Sequence, residues 1–203
     1  MRLNHALLCL ALVLGFAQRS AWAGAVSPYT WYEFYWDSGT YEPSTNVPTS
    51  GCTDVNAFCP IDPPYDVTWT DDPPWTYTAG PLGAWFIITD VADAGDDFNV
   101  YDNLNLILVT PTVPANGYVC GTTDTDYVDP AVCVSDPNMS HGEVYLTPGP
   151  HSLTILARDA PFGDGVGDFQ IVPLPEPALS ALSGAVIIGL ACLKRYRATQ
   201  KSA

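Results

Sequence analysis

Grouped aspartates are the residues of this chain whose type and spacing best suit chemistry. The first group holds Asp90, Asp93, Asp96, Asp97 and Asp102; the second holds Asp124, Asp126 and Asp129; the third holds Asp159, Asp164 and Asp168. Calcium takes oxygen ligands from carboxylates and carbonyls, so Asp93, Asp96 and Asp97 are candidate calcium ligands. No group has the spacing of the helix–loop–helix calcium motif, and aspartate also serves as a turn and cap residue. Both interpretations of the first group are open.

Aromatic residues offer a second chemistry, the stacking of side chains on sugar rings. The candidates are Trp31, Tyr32, Tyr35, Trp36, Trp69, Trp75 and Trp85. Nearby carboxylates would accept hydrogen bonds from sugar hydroxyls, so a calcium-dependent carbohydrate-binding module is one hypothesis for this chain. The alternative is that these rings fill a hydrophobic core.

The sequence offers no specific catalytic motif. Paired carboxylates carry out glycoside hydrolysis, but among 22 Asp and Glu residues a pair carries little information. His141 and His151 stand near a predicted turn without a nucleophile motif, and the chain has no Gly-x-Ser-x-Gly. We assign no catalytic residue and expect no enzyme; a secreted glycan hydrolase is the least favoured alternative.

The first 23 residues have the pattern of a secretory signal peptide. Arg2 supplies a positive charge, residues 6–17 are an apolar core, and Ala21-Trp22-Ala23 is a small-residue cleavage site. We therefore expect the chain to be exported and the mature protein to begin at Gly24. An uncleaved N-terminal anchor is the alternative.

Cysteine usage agrees with export to an oxidising compartment. Four cysteines lie outside the two terminal apolar segments, namely Cys52, Cys59, Cys120 and Cys133, and an even number favours disulfides. Three pairings can be written. We predict the local ones, Cys52–Cys59 and Cys120–Cys133, because each closes a loop rich in Pro, Asp, Thr and Gly. Zinc ligation would require a closer Cys spacing than either pair has.

The exported body is far more acidic than the whole chain. Arg158 is the one cation between the two terminal segments, and set against 22 carboxylates it gives the body a net charge of −21, compared with −15 for the whole chain. Nucleic acid is excluded as a partner, because its binding requires cations that neutralise phosphates. Such a surface favours solubility and attracts cations.

Strand signals dominate residues 24–172. Strands are predicted at residues 29–36, 75–78, 84–89, 98–101, 104–110, 144–147, 152–157 and 168–172. Pro148-Gly149-Pro150 predicts a hairpin-like connection, and residues 40–74 form a Pro-rich loop region. Since no amphipathic helix separates the strands, the expected fold class is all-β. The expected architecture is an antiparallel, jelly-roll-like β-sandwich followed by a single hydrophobic C-terminal helix.

Residues 173–203 contain three consecutive signals. Pro175-Glu176-Pro177 is followed by an uncharged, mostly apolar run over residues 178–193 and a basic tail over residues 194–203 that includes Lys194, Arg195 and Arg197. As a helix, the 16-residue run would span about 24 Å, which is marginal for a bilayer. The basic cluster would stay on the cytoplasmic side. An ordinary C-terminal anchor and a buried core helix are the alternatives.

This tripartite tail, paired with a signal peptide, resembles the PEP-CTERM sorting segment of Gram-negative bacterial proteins. The resemblance covers about 30 residues. The commonest form of the motif in the family is Val-Pro-Glu-Pro, and here Leu174 takes the place of the valine, with Val172-Pro173 just upstream. It implies recognition by an exosortase, a membrane-embedded enzyme thought to cut near the Pro-Glu-Pro motif. The membrane would then hold only the precursor through its C-terminal helix.

These observations lead to one functional expectation. The chain is expected to be a non-enzymatic protein of the cell surface or extracellular matrix, sorted by exosortase and associated with exopolysaccharide in a biofilm. The sequence names no ligand for the body, no oligomeric state and no resident cofactor, apart from the candidate calcium.

Overall fold

Strands make up almost all of the regular structure. The structure, a computed structural model, describes residues 24–52, 67–91, 93–120 and 129–175. The strands are β1 (Gly24–Ala25), β2 (Trp31–Asp37), β3 (Ser44–Gly51), β4 (Val67–Trp69), β5 (Trp75–Ala79), β6 (Ala84–Asp90), β7 (Asp97–Asp102), β8 (Asn105–Val109), β9 (His141–Leu146), β10 (Gly149–Ala160) and β11 (Asp164–Pro173). Within the described residues the one helix is α1 (Pro130–Cys133).

Several predicted features lie outside the described residues. These are the signal peptide with its Ala21 and Ala23 cleavage site, Cys59, and the chain from Glu176 onward, which includes Pro177, the C-terminal helix and the basic tail. In the described part of the chain, no helix is long and apolar enough to cross a membrane.

The described strands join into one mixed sheet. Its main path runs β1-β5-β10-β3-β2-β11-β6-β9, with β4 beside β2, β7 beside β10, and β8 beside β7. Most neighbours are antiparallel, but β1 and β5 are parallel, as are β2 and β4. The predicted β-rich fold with almost no helix is confirmed, while the two parallel pairs make the sheet mixed rather than purely antiparallel.

An aromatic core fixes the faces of the central strands. Tyr32, Phe34 and Trp36 alternate along β2 and are buried, and Phe169 on β11 packs against several of these rings. Phe34 and Phe98 meet edge to face, with ring centroids 5.5 Å apart. Offset and edge-to-face pairs of this kind add to the free energy gained by burying their area. Alternation with a period of two therefore assigns one face of β2 to the core.

Two glycines let β11 approach these rings. Gly167 is the register partner of Phe34, and a Cβ added to Gly167 would lie 2.7 Å from Phe34 Cζ. Gly165 stands opposite Trp36 in the same way, and its added Cβ would collide with the indole ring. The aromatic rings of β2 occupy the space that side chains of β11 would otherwise fill. A glycine in a strand often marks such a close approach.

Each of the eight predicted strands is present, but two other expectations are wrong. The region 40–74, expected to be loop, contains β3 and β4. The first half of β3 pairs with β10 and its second half with β2, so each half has one partner strand. This arrangement tolerates Pro48, which lacks a backbone donor. The strands β9 and β10 do not form the predicted hairpin, because β9 pairs with β6 and β10 with β3, β5 and β7.

A second, smaller core surrounds a disulfide. Cys120 and Cys133 are bonded across 13 residues, with their Cα atoms 5.6 Å apart, as the sequence predicts for this pair. Val91, Ala94 and Met139 pack beside them. Asp129 caps the start of α1 by accepting a hydrogen bond from Ala131 N at 2.9 Å. Cys52 is buried, and its predicted pairing with Cys59 remains a prediction.

Candidate functional site

The acidic turn between β6 and β7 is the first candidate site. Asp90, at the end of β6, is fully buried, and its Oδ2 accepts a hydrogen bond from Gly95 N at 3.3 Å. Asp96 is buried as well, whereas Asp93 is exposed. Asp90 Oδ1 and Asp96 Oδ1 are buried without a hydrogen-bond partner among the described residues. The turn therefore holds two carboxyl groups that water does not solvate.

Burial changes the protonation of this turn. It raises the pKa of Asp96 to about 8, and the negative charges of Asp164, Asp93 and Asp97 add to the effect. The pKa of Asp90 is also raised well above its ordinary value, first by burial and then by the charge of Asp96. Removing a carboxylate from water disfavours its charged form. At neutral pH the carboxyl group of Asp96 therefore favours its protonated form.

Asp97 takes part in an ion pair rather than an open ligand site. Its side chain is fully buried, and its Oδ1 accepts a hydrogen bond from Arg158 Nε at 2.7 Å. Its Oδ2 accepts from the Nη2 group of the same arginine and from Thr112 Oγ1. Both carboxylate oxygens are thus engaged by the single cation of the body.

The candidate calcium triad is not assembled. Asp97 binds Arg158, and Asp93 is exposed. Asp96 is buried, and its raised pKa favours the protonated form. Within the described residues, no three His, Cys, Asp or Glu side chains are arranged to hold a metal ion. Sequence spacing placed these aspartates together, but it could not show that Arg158, 61 residues away, binds one of them.

A second set of buried carboxyl groups lies across the face of the sheet opposite the aromatic core. Glu33 on β2 and Asp168 on β11 are register partners, and both are buried. Trp69 on β4 is the partner of Glu33, and Thr89 on β6 is the partner of Asp168. His141 on β9 follows opposite Thr89. Partners in neighbouring strands point to the same side, so these five residues form a row across the sheet, here called the carboxyl row.

Burial raises both pKa values in the carboxyl row. It raises the pKa of Glu33 to about 7. The pKa of Asp168 is raised well above its ordinary value by burial and then by the charge of Glu33. Glu33 Oε1, Asp168 Oδ1 and Trp69 Nε1 are buried and find no hydrogen-bond partner among the described residues. A buried carboxyl without a partner is costly when charged, so burial favours the protonated form of each group.

Glu33 is not among the residues that stand out in the sequence, where Asp168 belongs only to a loose group of aspartates. One signal was present, because Glu33 is the single charged residue within the aromatic run from Trp31 to Trp36. Trp31 and Tyr35 stand on the same face of the strand as Glu33, and these aromatic neighbours indicate that this second face is also covered. Its pairing with Asp168 depends on the register of β2 against β11, which the sequence does not encode locally.

Three of the seven aromatic residues considered for sugar stacking lie in the main core, and the other four are half-buried. Tyr32, Trp36 and Trp75 are buried there. Trp85 is half-buried and meets Tyr145 edge to face at 5.8 Å. Trp31, Tyr35 and Trp69 are also half-buried. These positions give the core interpretation its main support and leave no row of exposed rings from this set.

His151 forms the third candidate site with Asp102, beside a surface pocket of about 360 Å³. His151 Nδ1 lies 2.8 Å from Asp102 Oδ2, and its Nε2 lies 2.7 Å from the carbonyl oxygen of Thr147. Each ring nitrogen thus faces one oxygen of a neighbouring residue. His141 Nδ1 lies 2.9 Å from the carbonyl oxygen of Met139. These contacts tie His151 to its own neighbours at both ring nitrogens.

Comparison with known proteins adds no family assignment. No protein-family model, no curated protein and no solved structure matches this chain.

Proposed function

We propose that this protein is a non-enzymatic, exported component of the cell surface or extracellular matrix, sorted by exosortase and associated with exopolysaccharide. The observation that carries the proposal is where the folded body ends. Strand β11 ends at Pro173, and Leu174 N still donates a hydrogen bond to Gly83 O at 3.1 Å. Pro175, the first residue of the sorting motif, is exposed.

This geometry is compatible with cleavage at the motif. A cut within residues 175–177 would leave β11 and its pairing with β2 and β6 complete. The body would lose the apolar run and the basic tail and would keep every strand. An enzyme that works at the membrane surface could reach the motif without unfolding the sheet.

The disulfide supports export. The bond between Cys120 and Cys133 lies in the second core, and both residues are buried. Disulfides form and persist in oxidising compartments such as the bacterial periplasm. This agrees with the signal-peptide pattern over residues 1–23.

A non-enzymatic role is supported by the way the polar groups are used. Arg158 neutralises Asp97, His151 is bound at both ring nitrogens, and the carboxyl row is covered. Val166, two residues before Asp168 on β11, packs against the second core, which places part of the disulfide segment over that face. These polar side chains thereby hold elements of the fold together through contacts with one another and with the backbone.

The finer architecture that we propose is a β-sandwich. Strand β3 pairs with β10 in one half and with β2 in the other, so it can pass between two layers. One layer would hold β1, β5, β10, β7 and β8, and the other β4, β2, β11, β6 and β9. The main core draws on both groups, with Trp75 and Ile155 from one and Phe34 and Phe169 from the other. Two facing layers with interdigitated side chains define such a fold.

Distribution of the protein in cells tests the sorting proposal. The full chain would be produced in an exosortase-containing Gram-negative strain, and compared with a variant in which Pro175→Ala, Glu176→Gln and Pro177→Ala are combined. Pro173→Ala, just upstream of the motif, is the matched control. We expect the control to reach the surface or medium and the triple variant to stay in the inner-membrane fraction. Equal release of both chains would reject sorting through this motif.

A further inference from the structure

The hairpin formed by β7 and β8 leaves one side of a strand without a neighbour. Asn103 and Leu104 turn the chain with φ values of 48° and 68°, the left-handed geometry of tight hairpin turns. Among the described strands, β8 pairs with β7 alone. Within the described ranges, its second edge has no strand to pair its backbone donors and acceptors, which makes β8 an edge strand.

Apolar side chains are exposed along this hairpin. Leu104 is 89% exposed, Leu106 52% and Val109 43%. An irregularity in the β7–β8 register lets Ile107 and Leu108 both pack against the main core. Leu106 and Val109 are left at the surface on either side of them. Three of the large exposed apolar residues are thus gathered within six positions.

The same segment carries no charge. No Asp, Glu, Lys, Arg or His occurs between Asn103 and Thr123, within a body of net charge −21. Natural edge strands are commonly protected by charges, prolines, bulges or short length. Strand β9, another edge, carries the exposed Glu143, and β1 and β4 have two and three residues. Strand β8 has five residues, none of them charged or proline, and its one protective feature is the bulge in its register with β7.

We propose that β8 is the interface through which two copies of this protein associate, by antiparallel pairing of β8 with β8 about a two-fold axis. An added strand pairs the backbone groups of a strand edge in regular order, and a second copy offers an identical strand. A two-fold axis makes such a contact self-complementary. The inference does not depend on sorting of the C-terminal segment.

Charge also favours a second copy at this particular surface. Two bodies of net charge −21 repel one another, so they can meet only where their own charges are sparse. The turn and strand β8, over residues 103–109, carry no charge and provide that surface, and their exposed leucines and valine would be buried on contact. The attraction is apolar and the opposing force is electrostatic, so dimerisation must strengthen as salt screens the repulsion.

Sedimentation analysis of the purified exported protein tests this proposal. Raising the salt from about 0.01 M to about 1 M shortens the screening length from about 30 Å to about 3 Å. We expect the dimer fraction to rise over this range, whereas an interface held by ion pairs would weaken. A protein that stays monomeric at both salt concentrations would overturn the proposal and would leave the β8 edge to a different occupant.

Two matched lysine variants locate the interface. Val109→Lys places a charge on β8, and Val132→Lys places the same charge on α1, where Val132 is 47% exposed. We expect Val109→Lys to weaken dimerisation at high salt at least about tenfold, which corresponds to about 1.4 kcal/mol, and Val132→Lys to have no such effect. Equal behaviour of the two variants would contradict the assignment to β8.

Hydrogen exchange provides a readout that needs no variant. The backbone amides of residues 105–109 should become more protected as protein concentration rises at high salt, in step with the dimer fraction. If dimers form but these amides exchange at an unchanged rate, the interface lies elsewhere and the proposal fails. Circular dichroism of both lysine variants distinguishes a lost interface from a lost fold.

Discussion

Arg158 on β10 holds the fully buried carboxylate of Asp97 on β7 through two of its nitrogens. It is the one cation between the signal peptide and the basic tail. In a chain with 22 carboxylates, this cation thus neutralises a buried carboxylate instead of one at the surface. The carboxylate of Asp97 also accepts one backbone and one side-chain hydrogen bond, from Asp159 N at 3.1 Å and from Thr112 Oγ1 at 2.7 Å.

Removing Arg158 should therefore destabilise the protein strongly. Arg158→Gln leaves Asp97 buried without its counter-ion, and breaking a buried pair in this way costs about 3–5 kcal/mol. We expect the free energy of unfolding to fall by about 3 kcal/mol, the lower end of this range, because Thr112 and Asp159 still donate to the carboxylate. Urea unfolding monitored by tryptophan fluorescence measures the change.

Arg158→Lys is the matched control for the ion pair. It keeps the positive charge but loses the bidentate geometry, so its loss of stability should be intermediate. If Arg158→Gln unfolds at the same urea concentration as the unchanged protein, the pair contributes nothing and this account of Asp97 is wrong.

Acidification from pH 8 to pH 5 should stabilise this protein. The pKa values of Glu33 and Asp96 in the folded state are about 7 and about 8, above the ordinary values of 4.5 and 3.8. Between the unfolded and folded values, the folded state binds protons that the unfolded state has released. The free energy of unfolding must then fall as the pH rises, with a total loss on the order of several kcal/mol. Thermal unfolding at a series of pH values measures the slope.

Amide variants assign that slope to particular groups. Glu33→Gln and Asp96→Asn should each flatten the dependence on pH, because neither amide can ionise. Asp71→Asn, at an exposed position, should leave the slope as it is. Stability that increases from pH 5 to pH 8 would show that Glu33 and Asp96 are charged in the folded protein.

Gly167→Ala should destabilise the protein through the aromatic core. The new Cβ would lie 2.7 Å from Phe34 Cζ and 3.2 Å from Phe98 Cζ, and both rings are fully buried. Overpacking of this kind costs about 1–3 kcal/mol. Chemical unfolding measures the loss.

Gly142→Ala is the control for the effect of an added methyl group in a strand. The nearest atom to a Cβ at Gly142 is Leu108 Cδ1 at 3.2 Å, the end of a side chain that can move. We expect little change for this variant. Equal losses at Gly142 and Gly167 would mean that the aromatic rings do not restrict β11.

Breaking the Cys120–Cys133 disulfide should lower stability without changing the strand content. The bond closes a loop with a sequence separation of 13 residues, and cross-linking a loop of that size contributes about 3 kcal/mol. The double variant Cys120→Ser and Cys133→Ser should unfold at lower urea concentration and keep its far-ultraviolet spectrum. Unfolding at an unchanged urea concentration would show that the second core holds without the bond.

The parts of this fold that the sequence predicts are those with a local pattern. Alternating aromatics identify β2, and apolar runs identify β6 and β8. Strand β3 escaped prediction because its Asn, Pro and Gly residues have weak strand propensity, and its pairing with β10 and β2 stabilises the strand. The start of β11 was missed because Gly165 and Gly167 read as a turn until the rings of Trp36 and Phe34 are placed beside them.

The candidate sites divide in the same way. Composition identifies an acidic turn near Asp96, and cysteine spacing predicts the Cys120–Cys133 bond. The ion pair of Asp97 with Arg158 and the pairing of Glu33 with Asp168 join residues far apart in the chain. Both depend on strand order and register, which arise from packing of the whole sheet and leave no local signal.

The intact mass of the mature protein, taken from the cell surface and from the medium, tests the central claim most directly. Sorting by exosortase predicts a chain that begins at Gly24 and ends within residues 175–177. The same sample should gain four hydrogens on reduction if both predicted disulfides are present. A mass that retains residues 194–203 in an exosortase-containing strain would contradict the account, and the C-terminal segment would then be a plain membrane anchor.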